Sequence, residues 1–459
     1  MAEEKQESQS ESLHDKGITR ITVGGFKSIA QEKSIEVRPL TILAGANSSG
    51  KSSIMQPLLL LKQTLDATYD PGPLLLNGPN VRFTLVDQLL SRIGNKKSTT
   101  GFHVGIETSN GDYITTYFNR SKNKRLDVKQ TVYGSPWGSY RLRQGMSSQD
   151  VETVFSNMLR TKFHTSDIKS ARDRLEVTLT LSRNRCFLVF RAHSTGRFNL
   201  TEPTTIIDEV FLEEEAVTSQ YPHRIIHLPG LRGNPERTYP ITAVGSEFPG
   251  TFEKYVASII GQWQTDKNDD KLSKVNRDLA RLGLTGGVST EPIDDTQVEL
   301  LVHRYSRKDD FAPDDMVSIA DVGIGISQVL PVIVALHTAD PGQLVYVEQP
   351  ELHLHPRAQS ALAEVLADAA LQGTRMVIET HSSLLLLGIQ TLVAEGKLPP
   401  ELVKLHWFQL LDDGSTQIIS ADLDETGAFG DWPEDFAEVA LSSEGRYLDA
   451  AQDRMMKGK

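Results

Sequence analysis

The chain has 459 residues, of which 39% are hydrophobic and 24% charged, with one cysteine and a formal net charge of −12. That length allows two or three domains with a substantial core, while the lone Cys186 excludes a disulfide within the chain and suits a reducing, cytoplasmic compartment. No run approaches the ~18 consecutive apolar residues of a membrane span, so no membrane partner is expected.

Residues 1–16 are rich in Glu, Gln and Ser without an apolar centre, which predicts a disordered tail rather than a secretory leader. Residues 18–29 and 35–44 read as two strands leading into GANSSGKSS at residues 45–53. This stretch fits G-x-x-x-x-G-K-[ST] in full, with Gly45, Gly50, Lys51 and Ser52 in the required places. The apolar run 40–44 before it predicts a buried parallel strand, and helical spacing over 53–65 predicts the helix that the motif requires. Gly45, Ala46, Asn47, Ser48, Ser49, Gly50, Lys51, Ser52 and Ser53 therefore form a phosphate cradle. Glycines let successive N–H groups turn inward, and the helix points its positive end at the same place. Lys51 is expected on the β- and γ-phosphates of ATP and the Ser52 hydroxyl on Mg²⁺. The helix is expected to stop before the Asp70-Pro-Gly-Pro73 breaker.

Between residues 91 and 200 there are 19 Lys and Arg against 8 Asp and Glu, a surplus of +11 that leaves −23 on the rest. Alternating runs at 102–106, 113–118, 126–133, 175–181 and 186–190 predict antiparallel strands, with a helix over about 149–159. Arg120, Lys122, Lys124 and Arg125, then Lys129, Arg141 and Arg143, form the basic cluster, interleaved with Tyr133, Trp137 and Tyr140. Such a pattern can hold a phosphate backbone and stack bases, so DNA is the expected partner of this lobe; a solvated hairpin face is the alternative. Residues 204–217 read as an acidic helix, 225–239 as a strand and a loop carrying Arg232 and Arg237, and 246–284 as a helical insertion. There are no repeats and no sustained heptads.

Residues 318–331, SIADVGIGISQVLP, place Gly323, Gly325, Ser327 and Gln328 at the start of an apolar helix, a second phosphate cradle. Two cradles far apart in sequence are explained by a head-to-head dimer in which each subunit's second cradle closes on the other's nucleotide. The apolar strand 344–347 then ends at Glu348, where a carboxylate binds Mg²⁺ through water. After Gln349, Glu351, His353 and His355 comes a helix over 357–371. A second apolar strand, 375–380, ends at His381, the place of a γ-phosphate sensor. A Zn²⁺ site on His353, His355 and Glu351 lacks a fourth ligand, and a loop role is expected instead.

Loop, glycine turn, acidic strand end with PELHLHP, and THS in this order resemble the ABC-type ATPase heads of the structural-maintenance-of-chromosomes, RecF and overcoming-lysogenization-defect (OLD) group. GFKSI at 25–29, LPGLRGNP at 228–235 and DWPEDF at 431–436 resemble its stand-alone bacterial members, whose small C-terminal domain has no assigned function. The resemblance implies an α/β fold: an ABC-type head of mixed sheet and flanking helices, an antiparallel β-rich lobe and a helical insertion. The corresponding division is a tail at 1–16, the head at 17–90 and 306–410, the basic lobe at 91–240, the insertion at 241–305 and a C-terminal domain at 411–459. It also implies ATP-dependent dimerisation, often on DNA, Gln88 as a residue coupling Mg²⁺ to the lobe, and in several members a place in defence against phage or plasmids.

The chain departs from the group at Gln349, where a second carboxylate usually polarises the attacking water. An amide orients water but accepts no proton, so slow hydrolysis is expected, with Glu351 or His381 as substitute bases. Catalysis is thus assigned to Glu348, Gln349 and His381, and the cation to Ser52, Glu348 and Gln88. The 78 residues after His381 are too few for the TOPRIM nuclease domain of OLD enzymes, so any cutting is expected from a separately encoded effector. A RecF-like repair ATPase is the alternative, and a transporter's nucleotide-binding subunit ranks last on size and signature.

Overall fold

The computed structural model describes residues 17–94, 98–121, 123, 125–162, 177–194, 221–304, 315–430 and 446. The tail 1–16, the acidic segment 204–217, Lys122, Lys124 and the 431–436 stretch lie outside them. The first strands are β1 (Ile18–Gly24), β2 (Lys33–Glu36) and β3 (Leu40–Gly45), and they part company at once. β1 and β2 join β4 (Gly101–Thr108), β5 (Tyr113–Arg120), β6 (Leu126–Ser135) and β7 (Gly138–Arg143) in an antiparallel sheet of order β2-β1-β4-β5-β6-β7. This sheet spans the boundary drawn from sequence between residues 90 and 91. Helices α1 (Lys51–Asp66) and α2 (Ser148–Lys162) and a hairpin of β8 (Val177–Asn184) and β9 (Phe187–Ser194) follow.

β3 belongs to a second sheet. Its other members are β10 (Ile226–Leu228), β15 (Leu344–Glu348), β16 (Arg375–Glu379), β17 (Val403–Leu410) and β18 (Thr416–Ala421), in the order β10-β15-β16-β3-β17-β18. All neighbours are parallel except β17 and β18. Between β10 and β15 the chain builds β11 (Tyr239–Pro240), α3 (Val256–Thr265), α4 (Asp269–Arg281), β12 (Val288–Pro292), β13 (Gln297–His303), β14 (Met316–Ser318) and α5 (Ile324–Thr338). Helices α6 (Pro356–Leu371) and α7 (Ser383–Ala394) flank β16. The expected mixed sheet, flanking helices, antiparallel lobe and helical insertion are all present, and the insertion carries a small sheet, β11 to β14, that the sequence reading did not contain.

The parallel strands are buried on both faces, which is why they read as unbroken apolar runs. Their side chains alternate between two cores. Leu40, Ile42, Ala44, Val345, Val347, Met376 and Ile378 face a core lined by α3 to α7, whereas Leu43, Leu344, Tyr346 and Val377 face the other. That second core also holds Ile54, Met55 and Leu58 to Leu61 of α1 with Ile21, Val23, Val104 and Ile106 of the antiparallel sheet. α1 is therefore enclosed between two sheets, each buried leucine stabilising by roughly 2 kcal/mol relative to exposure. Its Lys62 is fully buried, held by Asp66 Oδ2 at 3.1 Å and the carbonyls of His223 and Phe248 at 3.1 and 2.9 Å.

His406 in β17 is also buried. Its Nε2 donates to the Glu36 carbonyl at 2.8 Å, so Nδ1 accepts from Ser420 Oγ at 2.8 Å. Burial, with the Lys404 and Arg38 charges nearby, brings its pKa from 6.5 down to about 4. The folded protein thus prefers the neutral ring, and the unfolded chain protonates first on acidification. Stability present above pH 6.5 is lost as pH falls toward 4, by up to about 3 kcal/mol from this group. His406→Gln is expected to flatten that part of the curve in denaturant titrations at successive pH values, and parallel curves for the two proteins would refute the assignment.

Candidate functional site

β3 delivers the chain to Gly45, and α1 begins at Lys51 with Gly50 as its cap, so the motif lies on the expected strand, loop and helix. Both glycines are required sterically. Gly45 has φ +139° and an added Cβ would lie 2.2 Å from the Phe408 carbonyl oxygen of β17. At Gly50, φ +102°, it would lie 2.3 Å from Thr416 Oγ1 and 2.8 Å from Ser28 Oγ. The loop is thus backed by the β17–β18 hairpin, and Thr416 Oγ1 donates to the Ser49 carbonyl at 2.8 Å. Ser28 and Thr416 are supports that the motif does not announce.

Lys51 Nζ donates to the carbonyls of Gly45 and Ala46 at 2.9 and 2.8 Å. Burial lowers its pKa, opposed by the charges of Glu379 and Glu351. The first turn of α1 has no acidic residue and its cap makes no side-chain bond, so nothing within the helix offsets its positive end. Ser49 Oγ is buried without a hydrogen-bond partner. An ammonium, a helix N-terminus and an orphaned hydroxyl around one turn fit a polyphosphate.

Ser52 meets a residue that was not singled out from sequence. Its Oγ lies 3.0 and 2.9 Å from the two carboxylate oxygens of Glu379, at the end of β16. Tyr346, fully buried, donates to Glu379 Oε2 at 3.0 Å. Glu348 ends the adjacent strand in register with Glu379 but faces elsewhere. Its Oε1 is 3.3 Å from His227 Nε2 and its Oε2 accepts from the Gly230 N–H at 3.2 Å. Asn80 Nδ2 donates to His227 Nδ1 at 3.0 Å, which leaves Nε2 as the donor to Glu348.

The two carboxylates are driven apart. Burial tends to raise both; at Glu348 the bonds from His227 and Gly230 overcome it and hold the group below the usual range. At Glu379 burial and the Glu348 charge prevail, and its pKa is raised. Among the described residues no three His, Cys, Asp or Glu gather into a metal site. A cation here would be shared with phosphates, as Mg²⁺ commonly is.

Gln349 has φ +47°, and its N–H donates to the Glu379 carbonyl at 2.7 Å. Glu351 Oε1 accepts from Thr380 Oγ1 and the His381 N–H, both at 2.8 Å. The His381 ring bonds the Gly45 carbonyl; burial and then the Lys51 charge lower its pKa, so the imidazole is favoured neutral. Lys51, Ser52, Glu379, Glu351 and His381 thus converge on one loop. His353 and His355 are exposed, and the His355 ring accepts from Arg357 N as the cap of α6. Gln88 is spent on its own turn, its Oε1 accepting from Thr84 N at 2.8 Å and Leu85 N at 3.2 Å.

The second glycine turn opens α5, with Gly323 as cap. Gly323 and Ile324 are exposed and Ser327 Oγ donates to the Ile324 carbonyl, but Gln328 points inward, donating to the Gly233 carbonyl at 2.9 Å. Arg232 joins this turn to the acidic strand end: its guanidinium donates to the carbonyls of Gln328 at 2.9 Å, Glu348 at 2.6 Å and Gln349 at 3.4 Å.

In the basic lobe, Arg120 pairs with Asp87 and Arg143 Nε donates to Gln130 at 3.2 Å. Arg125, Lys129, Arg141, Arg143 and Trp137 are exposed. Among the described residues no helix is long and apolar enough to cross a membrane.

A family model described as "AAA domain, putative AbiEii toxin, Type IV TA system" matches residues 40–145 and 163–387, which contain the loop, both strand ends and the glycine turn. No curated protein matches the chain. Among solved structures, an Smc head bound to the C-terminal winged-helix domain of ScpA is 13% identical, with 89% of this chain and 98% of that one covered and a TM-score of 0.48. The Smc head domain with an extended coiled coil from Pyrococcus furiosus, bound to the C-terminal domain of ScpA, is 11% identical, with 95% and 100% covered and a TM-score of 0.45. The SMC head domain from Thermotoga maritima is 11% identical, with 88% and 98% covered and a TM-score of 0.40.

Proposed function

We propose that this chain, which belongs to the AAA domain family whose model matches it, is an ATP-operated switch: it binds ATP with Mg²⁺, pairs with a second copy, and hydrolyses slowly. The observation that carries the reading is the convergence of Lys51, Ser52, Glu379 and His381 on one glycine loop. When bound, Mg²⁺ would neutralise phosphate charge, with Ser52 and a strand-end carboxylate holding it. Lys51 would bind the phosphates and the neutral His381 would report the γ-phosphate. Gln349 would orient the attacking water without removing its proton, which favours a long-lived ATP state.

The exposed Gly323 and Ile324 at the start of α5 support closure on the partner's nucleotide, since they present a helix N-terminus at the surface of the subunit. Exposed Arg125, Lys129, Arg141 and Arg143 along β6 and β7, with Trp137 exposed at the turn between these strands, support DNA as the client of the paired state. A separately encoded effector, in defence against phage or plasmids, completes the reading.

Light scattering after size exclusion should give a dimer with ATP and a monomer with ADP, and DNA retention should follow the dimer and weaken with salt. Gln349→Glu should raise turnover several-fold and shorten the dimer's life. A monomer in every nucleotide state, or brisk turnover in the unchanged protein, would overturn the switch.

A further inference from the structure

We propose that Glu379 is a carboxylate of the Mg²⁺ site, standing beside Ser52 in the place that the sequence pattern assigns to Glu348. The proposal rests on the ATP reading above and on three features of the strand ends.

First, β15 and β16 are parallel neighbours with Glu348 opposite Glu379, so both carboxylates leave the sheet at the same edge. Second, they are committed differently. Glu348 has one oxygen at His227 and the other at the Gly230 N–H, on the β10 side of the sheet, and shares the Tyr346 hydroxyl with Glu379. Glu379 has both oxygens within 3.0 Å of Ser52 Oγ, the hydroxyl that a P-loop offers to its cation. A cation reaching that hydroxyl meets Glu379 without any rearrangement of the strand ends.

Third, Glu379 is positioned from the core. The buried Tyr346 hydroxyl donates to its Oε2 at 3.0 Å, and the Tyr346 ring stacks on His227 with centroids 5.4 Å apart. Tyr346 is thus a positioning residue between the two carboxylates. Held in this way, Glu379 keeps both oxygens on Ser52 Oγ. Gln349 contributes no charge next to Glu348, so a second anion at Glu379 restores to the site the negative charge that the amide withholds. Mg²⁺ takes one or two protein carboxylates and fills its remaining positions with water and phosphate oxygens, a demand that Ser52 with Glu379 satisfies.

The test is equilibrium binding rather than turnover. A fluorescent ATP analogue is titrated into the full chain in Mg²⁺ and in EDTA, for the unchanged protein and for Glu379→Gln, Glu348→Gln and Tyr346→Phe. The unchanged protein should bind more tightly in Mg²⁺ than in EDTA. Glu379→Gln retains groups that can bond Ser52 and Tyr346, so its EDTA affinity should stay within about twofold, while the Mg²⁺ enhancement falls roughly 10-fold or more. Full enhancement in Glu379→Gln with loss in Glu348→Gln would return the cation to Glu348 and overturn the proposal. So would an equal fall in both conditions, which would mark Glu379 as merely structural. If Glu379→Gln does not fold, Tyr346→Phe decides: it should reduce the enhancement and spare EDTA binding, and an unchanged enhancement overturns the proposal. Failure of the unchanged protein to bind the nucleotide in either condition would instead remove the ATP reading itself.

Discussion

Replacing Lys51 with Ala is expected to weaken ATP binding roughly 100-fold while leaving the fold in place. The ammonium is 3% exposed and lies on the carbonyls of Gly45 and Ala46. An ammonium has three donors, and a phosphate oxygen entering the loop would be met by a cation already stripped of most of its water. Removing one member of such a desolvated charge pair costs about 3 kcal/mol, which is the factor quoted. The fold should survive because burial already disfavours the charge, and because the His381 ring still bonds the Gly45 carbonyl when Nζ is gone. Titration calorimetry with ATP, alongside circular dichroism, provides the check. An affinity within threefold of the unchanged protein, with intact secondary structure, would show that the loop is only a turn between β3 and α1.

Arg232→Leu should destabilise the protein by about 3 kcal/mol, a large fraction of the stability of an ordinary domain. The side chain is 6% exposed, and burial, opposed by Glu253, Glu351 and Glu348, lowers its pKa to about 10. It stays charged at neutral pH because one planar fork answers three carbonyls, one from the first turn of α5 and two from the end of β15. Leucine fills much of the volume but removes the guanidinium from the Gln328 and Glu348 carbonyls, while the Gln349 carbonyl keeps the Leu352 N–H at 3.1 Å. Lysine offers a single nitrogen and cannot span the two elements, so Arg232→Lys should recover only a minor part. Denaturant midpoints give the stability, and amide exchange at Ile326 to Gln328 reports whether the glycine turn loosens. A change below about 1 kcal/mol would mean that α5 and β15 are held together by apolar packing alone. Because Arg232 connects the proposed partner-facing turn to the strand end carrying Glu348, its loss should also weaken ATP-dependent pairing more than ATP binding.

The phosphate loop was legible from sequence because its requirements are local. Gly45 and Gly50 need positive φ, the strand before them is an unbroken apolar run, and the helix after them has a 3.6-residue period; each is a property of neighbouring residues. The ends of β15 and β16 were legible for the same reason, since runs buried on both faces stop where a polar residue appears. Glu379 escaped notice because it closes a strand that reads as apolar, and its partner Ser52 is 327 residues away. Gln328 looked like a ligand-facing residue of a helix start, and only the Gly230–Pro235 loop folding beneath it turns its amide inward. Residues 18–29 and 35–44 read as two strands leading into the loop, yet the second is broken into β2 and β3, and antiparallel pairing of β1 with β2 and β4 places the first two strands in another sheet.

Local pattern along the chain sets the kind of chemistry available: a lysine and a serine at the mouth of a glycine turn, carboxylates and a histidine at strand ends, and an amide where an acid is usual. Long-range packing sets which carboxylate stands beside the serine, which glutamine is turned inward, and which arginine couples the second glycine turn to the acidic strand end. The physical reason is that backbone dihedrals and hydrophobic period are set within a few residues. Hydrogen-bond partners are set by strand order and register, which a chain acquires only when distant segments are packed against one another.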